Sequence, residues 1–340
     1  TGPGGINAIN GVFGAWTDSV PMLIFSGQVK RATCLATTPV RGLRQLGDQE
    51  SQIIPMVRGI TKYASIVDSP DDIAWHLDQA LHLATSGRPG PVWLDIPIDV
   101  QSAKVEPAGM RRFVPPQEPG HRVSDVELDA LIRRLGQARR PVILAGTGVR
   151  AAHANEEFAT LIHRLGIPVT TAWTHDLIAT DDPLFCGRPG TIGTRAGNFT
   201  VQNADLLLVL GSRLNIRQVS YDWPGFAARA FKVQVDIDTA ELEKPLVRPD
   251  LAICCDLRDF LVALNAQLAE RPLPRNPEHE HWLAWCRQRF FAYPAVLPKH
   301  REFRGRINPY HFVEVLFDYL DEDDIIACGN ASATILPFQA

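Results

Sequence analysis

Four short stretches of this 340-residue chain place glycine where a strand would hand over to a helix: TGPGG at 1–5, AGTGVR at 145–150, GRPGTIG at 187–193 and CGNAS at 328–332. A helix N-terminus with free N–H groups and glycine at the approach attracts phosphates and other anions. The same turns also arise for conformational reasons alone. Arg213 and Arg217, four residues apart after the apolar run ADLLLVLG, add two forked cations suited to phosphate oxygens or to an ion pair. In PVILAGTGVR only Gly146-x-Gly148 is present. There is no third glycine in register, and the acidic residue of a dinucleotide fingerprint would fall in a helix. Asp236, closing FKVQVDID, is a better acceptor for a ribose hydroxyl. The pattern predicts an adenine nucleotide or flavin in the middle of the chain rather than a dehydrogenase.

These turns need elements to hold them. After Pro3 and Gly4, apolar residues at Ile6, Ile9, Phe13 and Trp16 have helical spacing, so the first glycines read as a turn feeding a helix. VPMLIFSG, TKYASIVD and GPVWLDIP read as strands. Between the last two, Ser69 is a candidate cap, Pro70 suits the first helical position, and Asp71 and Asp72 suit the dipole. Ile73, Leu77, Ala80, Leu81 and Ala84 form the expected buried stripe, and Gly87 the stop. Ser124 and Glu127 form a capping box, after which PVILAG, IPVTTAW, ADLLLVLG, FKVQVDID and LAICCD recur as strands. Near the end, Asn308 and Pro309 open a helix, and DDIIACGNASATILPFQA reads as a strand, a Gly-Asn turn and a further helix.

Strand and helix alternate, so the fold class is α/β, with doubly wound parallel sheets covered on both faces. Residues 1–105 are expected to be the later part of one domain and 106–123 a Pro-rich linker. Residues 124–270 are expected to be a complete domain, 271–306 a second linker and 307–340 the start of a third domain, with both outer domains only partly present.

A net charge of −4 offers no basic face for nucleic acid. No apolar run reaches membrane-spanning length, and no signal peptide is visible. The six cysteines, Cys34, Cys186, Cys254, Cys255, Cys286 and Cys328, have neither disulfide-framework nor zinc spacing. They read as buried thiols of a reducing, cytoplasmic protein. His279 and His281 read as part of a solvated loop, so no metal site is expected.

TGPGGINAINGVFGAWTDSVPMLIFSGQ, followed by GDQE, VRGITKYA and ATSGRPGPVWLDIPIDVQ, resembles the thiamine diphosphate-dependent enzymes of the acetolactate synthase group. The resemblance implies three α/β domains: pyrimidine-binding (here 1–105), central (124–270) and diphosphate-binding (here 307–340). It implies that Pro3, Gly4 and Asn7 line the aminopyrimidine of thiamine diphosphate, that Gln28 and Gln49 reach the active site, and that Gly329, Asn330 and Ala331 approach the diphosphate. It also implies FAD at Arg58, Gly146, Gly148, Arg213, Arg217, Asp236 and Asp256, with ADP as the alternative. Three positions depart from the family pattern: Asp48 precedes Gln49 in place of an aromatic, Asn215 replaces an acidic residue, and Arg188-Pro189 replaces Met-His. The family's catalytic glutamate and Mg²⁺ motif are expected outside this sequence.

The activity implied is decarboxylation of a 2-keto acid and carboligation to a second carbonyl, in a homo-oligomer with active sites between subunits. Two alternatives stay open. One is a thiamine diphosphate-dependent lyase, decarboxylase or acyltransferase for an acyl-CoA, sulfoacetaldehyde or keto-sugar substrate. The other is an inactive nucleotide-binding module.

Overall fold

The computed structural model describes residues 2–117, 122–302 and 305–340. It forms two compact units, Thr1–Pro119 and Gly120–Ala340. Residues 118–121 of the expected first linker and 303–304 of the second lie outside the described residues.

The first unit is built on a parallel three-stranded sheet of β1 (Met22–Gln28), β2 (Tyr63–Ile66) and β3 (Pro91–Pro97), in the order β1-β3-β2. β3 is central because nearly every residue of PVWLDIP is buried. Its side chains alternate between two cores. Val92 and Leu94 pack with Val67, Ala80, Ala84 and Val100, while Trp93 packs with Val12, Ile53, Ile54 and Val57.

The first helix, α1, spans Gly2–Thr17 and takes the glycines into its own first turn instead of following them. Its expected stripe is also rotated: Ile6, Phe13 and Trp16 are exposed, and Gly2, Val12 and Ala15 are buried. Apolar residues surround this helix, so periodicity leaves the inward side open, and the side with the smaller residues packs closest to the sheet. In α2 (Ile73–Thr85) the same preference buries Ala80 and Ala84 and leaves Leu81 57% exposed. The Ser69 side chain makes no capping bond. The irregular stretch after β3 is fastened to α2. Arg112 makes a bidentate pair with Asp78 at 2.6 and 2.7 Å, and Arg111 lies 4.4 Å from the Trp75 ring centre.

The second unit holds a parallel five-stranded sheet in the order β5-β4-β6-β7-β8. The strands are β4 (Pro141–Ala145), β5 (Val169–Thr171), β6 (Leu206–Leu210), β7 (Phe231–Asp236) and β8 (Leu251–Cys254). One face carries Ile143, Leu208 and Val233 against α3 (Asp125–Gln137), α4 (Asn155–Leu165) and α6 (Leu257–Glu270). The other carries Val142, Leu144, Leu207 and Val209, covered partly by α5 (Arg195–Gln202). The capping box of Ser124 and Glu127 opens α3 as expected.

Two expectations are corrected here. Residues 271–306 are not a plain linker: α7 (Pro277–Ala292) runs through them, capped by Asn276, and buries Trp282 and Cys286 in the second core. His279 therefore sits in a helix, its Nε2 2.8 Å from the Ala138 carbonyl. The helix is masked in the sequence because its flanks are proline-rich and its face mixes Trp with charge. The second correction concerns DDIIAC, which joins no sheet; Ile325 is 95% exposed. A parallel strand is stable only between neighbours, and among the described residues none pairs with it. The helices α8 (Pro309–Phe317) and α9 (Ser332–Gln339) flank it.

Trp282 is 5% exposed and its Nε1 donates to the Pro141 carbonyl at 3.1 Å. Trp282→Ala is expected to cost about 3–5 kcal/mol in chemical unfolding, whereas Phe291→Ala, at a position 67% exposed, should change it by no more than about 0.5 kcal/mol. Equal, small effects would return this segment to a linker.

Candidate functional site

In the first unit the polar residues gather at the carboxyl ends of β1 and β3. Ser26 faces Asp95 in register and donates to it at 2.5 Å, and Trp93 Nε1 donates to Ser26 Oγ at 2.7 Å. Gln28 Nε2 donates to Asp95 at 2.9 Å and to the Ser51 carbonyl at 3.0 Å, and its Oε1 accepts from the Val29 N–H. Gln28 is thus buried and fully bonded within the unit. Asp95 is 1% exposed, and burial pushes its carboxyl above the ordinary range, against the opposing bonds from Ser26 and Gln28.

Gln49 is exposed, with φ of 58°. The adjacent Glu50 is buried and accepts from the N–H groups of Leu35, Leu46 and Gly47, which organises the whole loop. A side chain on Gly2 would collide with the Gln49 carbonyl, so glycine there lets the start of α1 and the Gln49 turn meet. Pro3, Gly4 and Asn7 are exposed on α1, and a Cβ on Gly4 would meet nothing within 4 Å. The structure therefore brings Gln49 to the helix end that carries these three. Arg58 is exposed elsewhere on this unit.

In the second unit the strand order reverses between β4 and β6, and open α/β sheets bind ligands outside the carboxyl ends at such a point. Gly146 and Gly148 stand there, but not as an open anion cradle. Gly146 N–H donates to the Leu210 carbonyl at 2.8 Å and Gly148 N–H to the Gly211 carbonyl at 3.0 Å. A Cβ on Gly148 would lie 2.6 Å from Gly211 Cα. These glycines let two loops touch, which corrects the expectation of free amides. Arg213 is half-buried, Arg217 is exposed, and Asp236, 9% exposed, accepts from the Asp238 N–H at 3.0 Å. Asp256 caps α6 through the Arg258 and Asp259 N–H groups.

The GRPGTIG loop is wound on itself: Thr194 N–H donates to the Arg188 carbonyl at 2.7 Å, and Thr191 N–H to the Arg217 carbonyl at 2.8 Å. Gly329, Asn330 and Ala331 are exposed. Ala331 has φ of 58° and precedes α9, whose first turn receives no side-chain cap. This glycine turn leaves the first amides of α9 without a side-chain cap among the described residues.

Asp95 and Glu50, which hold the Gln28 and Gln49 positions in place, were not singled out from the sequence. The signal for Asp95 was an acidic residue inside the otherwise apolar PVWLDIP. Among the described residues, no group of three His, Cys, Asp or Glu side chains could hold a metal ion, and no helix is long and apolar enough to cross a membrane. The cysteines are free, but only Cys186, Cys255 and Cys286 are buried, whereas Cys328 is exposed, since its segment joins no sheet.

Residues 1–51 match the N-terminal TPP-binding domain of thiamine pyrophosphate enzymes, and residues 128–264 match their central domain. The chain is 34% identical to acetolactate synthase 1, chloroplastic, of Zea mays over 97% of this chain and 50% of that protein. It is 31% identical to acetolactate synthase, chloroplastic, of Arabidopsis thaliana (97% and 47%). It is also 31% identical to the "Probable acetolactate synthase large subunit" of Methanocaldococcus jannaschii (95% and 53%). The chain spans about half the length of the curated relatives it matches.

A carboxyl with a raised folded pKa favours folding at low pH, and that contribution is lost as pH climbs from the ordinary value of 3.8 through the raised one. The stability of Asp95→Asn relative to wild type should therefore increase with pH across that window in thermal unfolding. A pH-independent difference would show that Asp95 titrates normally.

Proposed function

Because the chain belongs to the thiamine pyrophosphate enzymes, and its matched relatives are acetolactate synthases, we propose that the full-length protein decarboxylates a 2-keto acid, pyruvate, and joins the remaining unit to a second carbonyl. One observation carries this reading: Pro3, Gly4 and Asn7 are uncovered together at one end of α1, and a Cβ on Gly4 would meet nothing within 4 Å, which leaves that face open to a ligand. Thiamine diphosphate, when bound with Mg²⁺, supplies the electron sink for loss of CO₂. This chain's residues position and shelter. Glu50 and Gly2 fix the Gln49 turn beside that face, and Asp95 locks Gln28 at the end of β1. The uncapped start of α9, at Asn330 and Ala331, offers amides to a diphosphate. Mg²⁺ is assigned to residues other than these.

For FAD the fit is partial. Arg213, Arg217 and Asp236 follow β6 and β7 at the ligand-binding edge, but the amides of Gly146 and Gly148 are already bonded. FAD is proposed there, with ADP as the alternative, and no chemical step passes through it. The buried free thiols suit a reducing compartment, and the cytoplasm is proposed.

A second copy is proposed to cover α1. Gly4, Gly11 and Gly14 share the exposed face of this helix with Asn7, and a Cβ at any of the three would meet nothing within 4 Å. Each costs the helix roughly 1 kcal/mol relative to Ala, and nothing in this unit requires them. Ile6 and Phe13 stand exposed beside them.

The full-length protein supplied with thiamine diphosphate, Mg²⁺ and pyruvate is expected to form acetolactate. No product from pyruvate or any other 2-keto acid would overturn the reading, and a flavin absorption band in the purified protein separates FAD from ADP. Gly11→Leu is expected to shift sedimentation from dimer toward monomer; an unchanged dimer would place the interface elsewhere.

A further inference from the structure

Arg188 is 5% exposed, yet no carboxylate pairs with it among the described residues. Its guanidinium makes two bonds within the chain. Nε donates to the Thr174 carbonyl at 3.3 Å, and Nη2 donates to His175 Nδ1 at 3.0 Å. Its flanks are aromatic, with the Phe185 and Phe338 ring centres 4.9 and 5.1 Å away. Asp176, the acid beside His175, is taken by Arg150 at 2.9 Å and by the Thr174 hydroxyl, and Asp182 accepts from the Leu184 N–H and faces His163 Nε2. Nη1 has no partner in the chain, and it is not among the buried polar atoms sealed from solvent.

The backbone is built to hold this side chain in place. Gly193 and Gly197 pack on the Arg188 main chain, and Gly187 packs on Thr194 and Gly197; a Cβ on Gly197 would come within 2.6 Å of Arg188 N, and one on Gly193 within 2.6 Å of Pro189 C. Thr194 bonds Arg188 N and caps α5. The loop lies at the carboxyl edge of β5, since Cys186 N–H donates to the Val169 carbonyl and Thr171 N–H to the Gly187 carbonyl. Burying a guanidinium without a counter-charge is costly, and Gly193 and Gly197, packed directly on the Arg188 backbone, fix the residue in that position. Burial lowers its pKa to about 10, and His175, desolvated beside that cation, is held to about 4 and stays neutral as an acceptor. Both effects match a cation whose counter-charge comes from outside the chain.

We propose that Arg188 anchors an oxyanion site at the carboxyl edge of β5, taking a phosphate or carboxylate group through its free Nη1 beside the Trp173–Phe338 stack. The two rings are 4.4 Å apart, and Trp173 is 41% exposed, which leaves an aromatic wall next to the charge. The site stands independently of the thiamine reading.

Calorimetric titration at matched ionic strength, with inorganic phosphate, ADP or pyruvate against a chloride control, tests it and separates free phosphate, nucleotide and carboxylate sources. The wild type is expected to bind at least one of the three, and Arg188→Met to weaken that binding by about 10- to 100-fold. Without the anion, Arg188→Met should melt no lower than wild type, because it removes an uncompensated buried charge. Arg188→Gln, which keeps a donor for the Thr174 carbonyl, serves if the Met variant fails to fold, and should lose binding equally. No oxyanion binding by the wild type, or undiminished binding in a folded neutral variant, would overturn the proposal.

Discussion

A parallel sheet has to be covered on both faces, and that constraint governs both units of this protein. It makes β3, β4 and β6 almost wholly apolar, so polar side chains gather where the strands leave the cores. Polar side chains inside such strands survive only when their bonds are met. Asp95 in β3 satisfies this through Ser26 and Gln28 on the neighbouring strand, and it thereby fixes the end of β1, where the loop that carries Gln49 begins. Gln234 in β7 meets it only at one end: Nε2 donates to the Ser212 carbonyl and so ties the turn after β6, while Oε1 is buried with no partner among the described residues.

Glycine means different things at different points on these edges, and what a missing Cβ would meet tells them apart. At Gly146, Gly148 and Gly211 it would meet another backbone, so these residues are explained by two loops closing on each other at the switch between β4 and β6. At Gly187, Gly193 and Gly197 it would meet the loop that encloses Arg188 or the cap of α5. At Gly4, Gly11 and Gly14 it would meet nothing. Only the last group needs something beyond its own unit to account for it, because glycine weakens a helix and here returns no internal contact.

Much of the fold was legible. Continuous apolar runs marked the eight strands, and Ser124 with Glu127 marked the start of α3. What was not legible depended on tertiary choice. Periodicity in α1 could not say which of two apolar sides turns inward, and the small side won. The helix α7 was hidden by its proline-rich approach, and DDIIAC has the composition of a strand without a partner to pair with. For the proposed site, the family pattern pointed to the start of α1, Gln28 and the Gly-Asn turn. It could not show that the Gln28 amide and the Gly146 and Gly148 amides are already bonded within the chain, because hydrogen-bond partners distant in sequence leave no local trace.

Asp95 and Arg188 are both almost completely buried, with opposite charge, and the contrast between them is informative. Asp95 receives two donors from its own sheet, and burial still raises its pKa, so protonation is the route by which it relieves its position. Arginine has no such route in practice, because the guanidinium stays charged throughout the range in which proteins fold. Arg188 must therefore be neutralised by an anion or carry the cost of its burial. Its neighbours exclude the first option from within: Asp176 is bound elsewhere, His175 is neutral, and the remaining walls are aromatic. A loop that packs two glycines on the backbone of such a residue holds the charge where only a group from outside the chain can neutralise it, and the free edge of the guanidinium marks where that group sits.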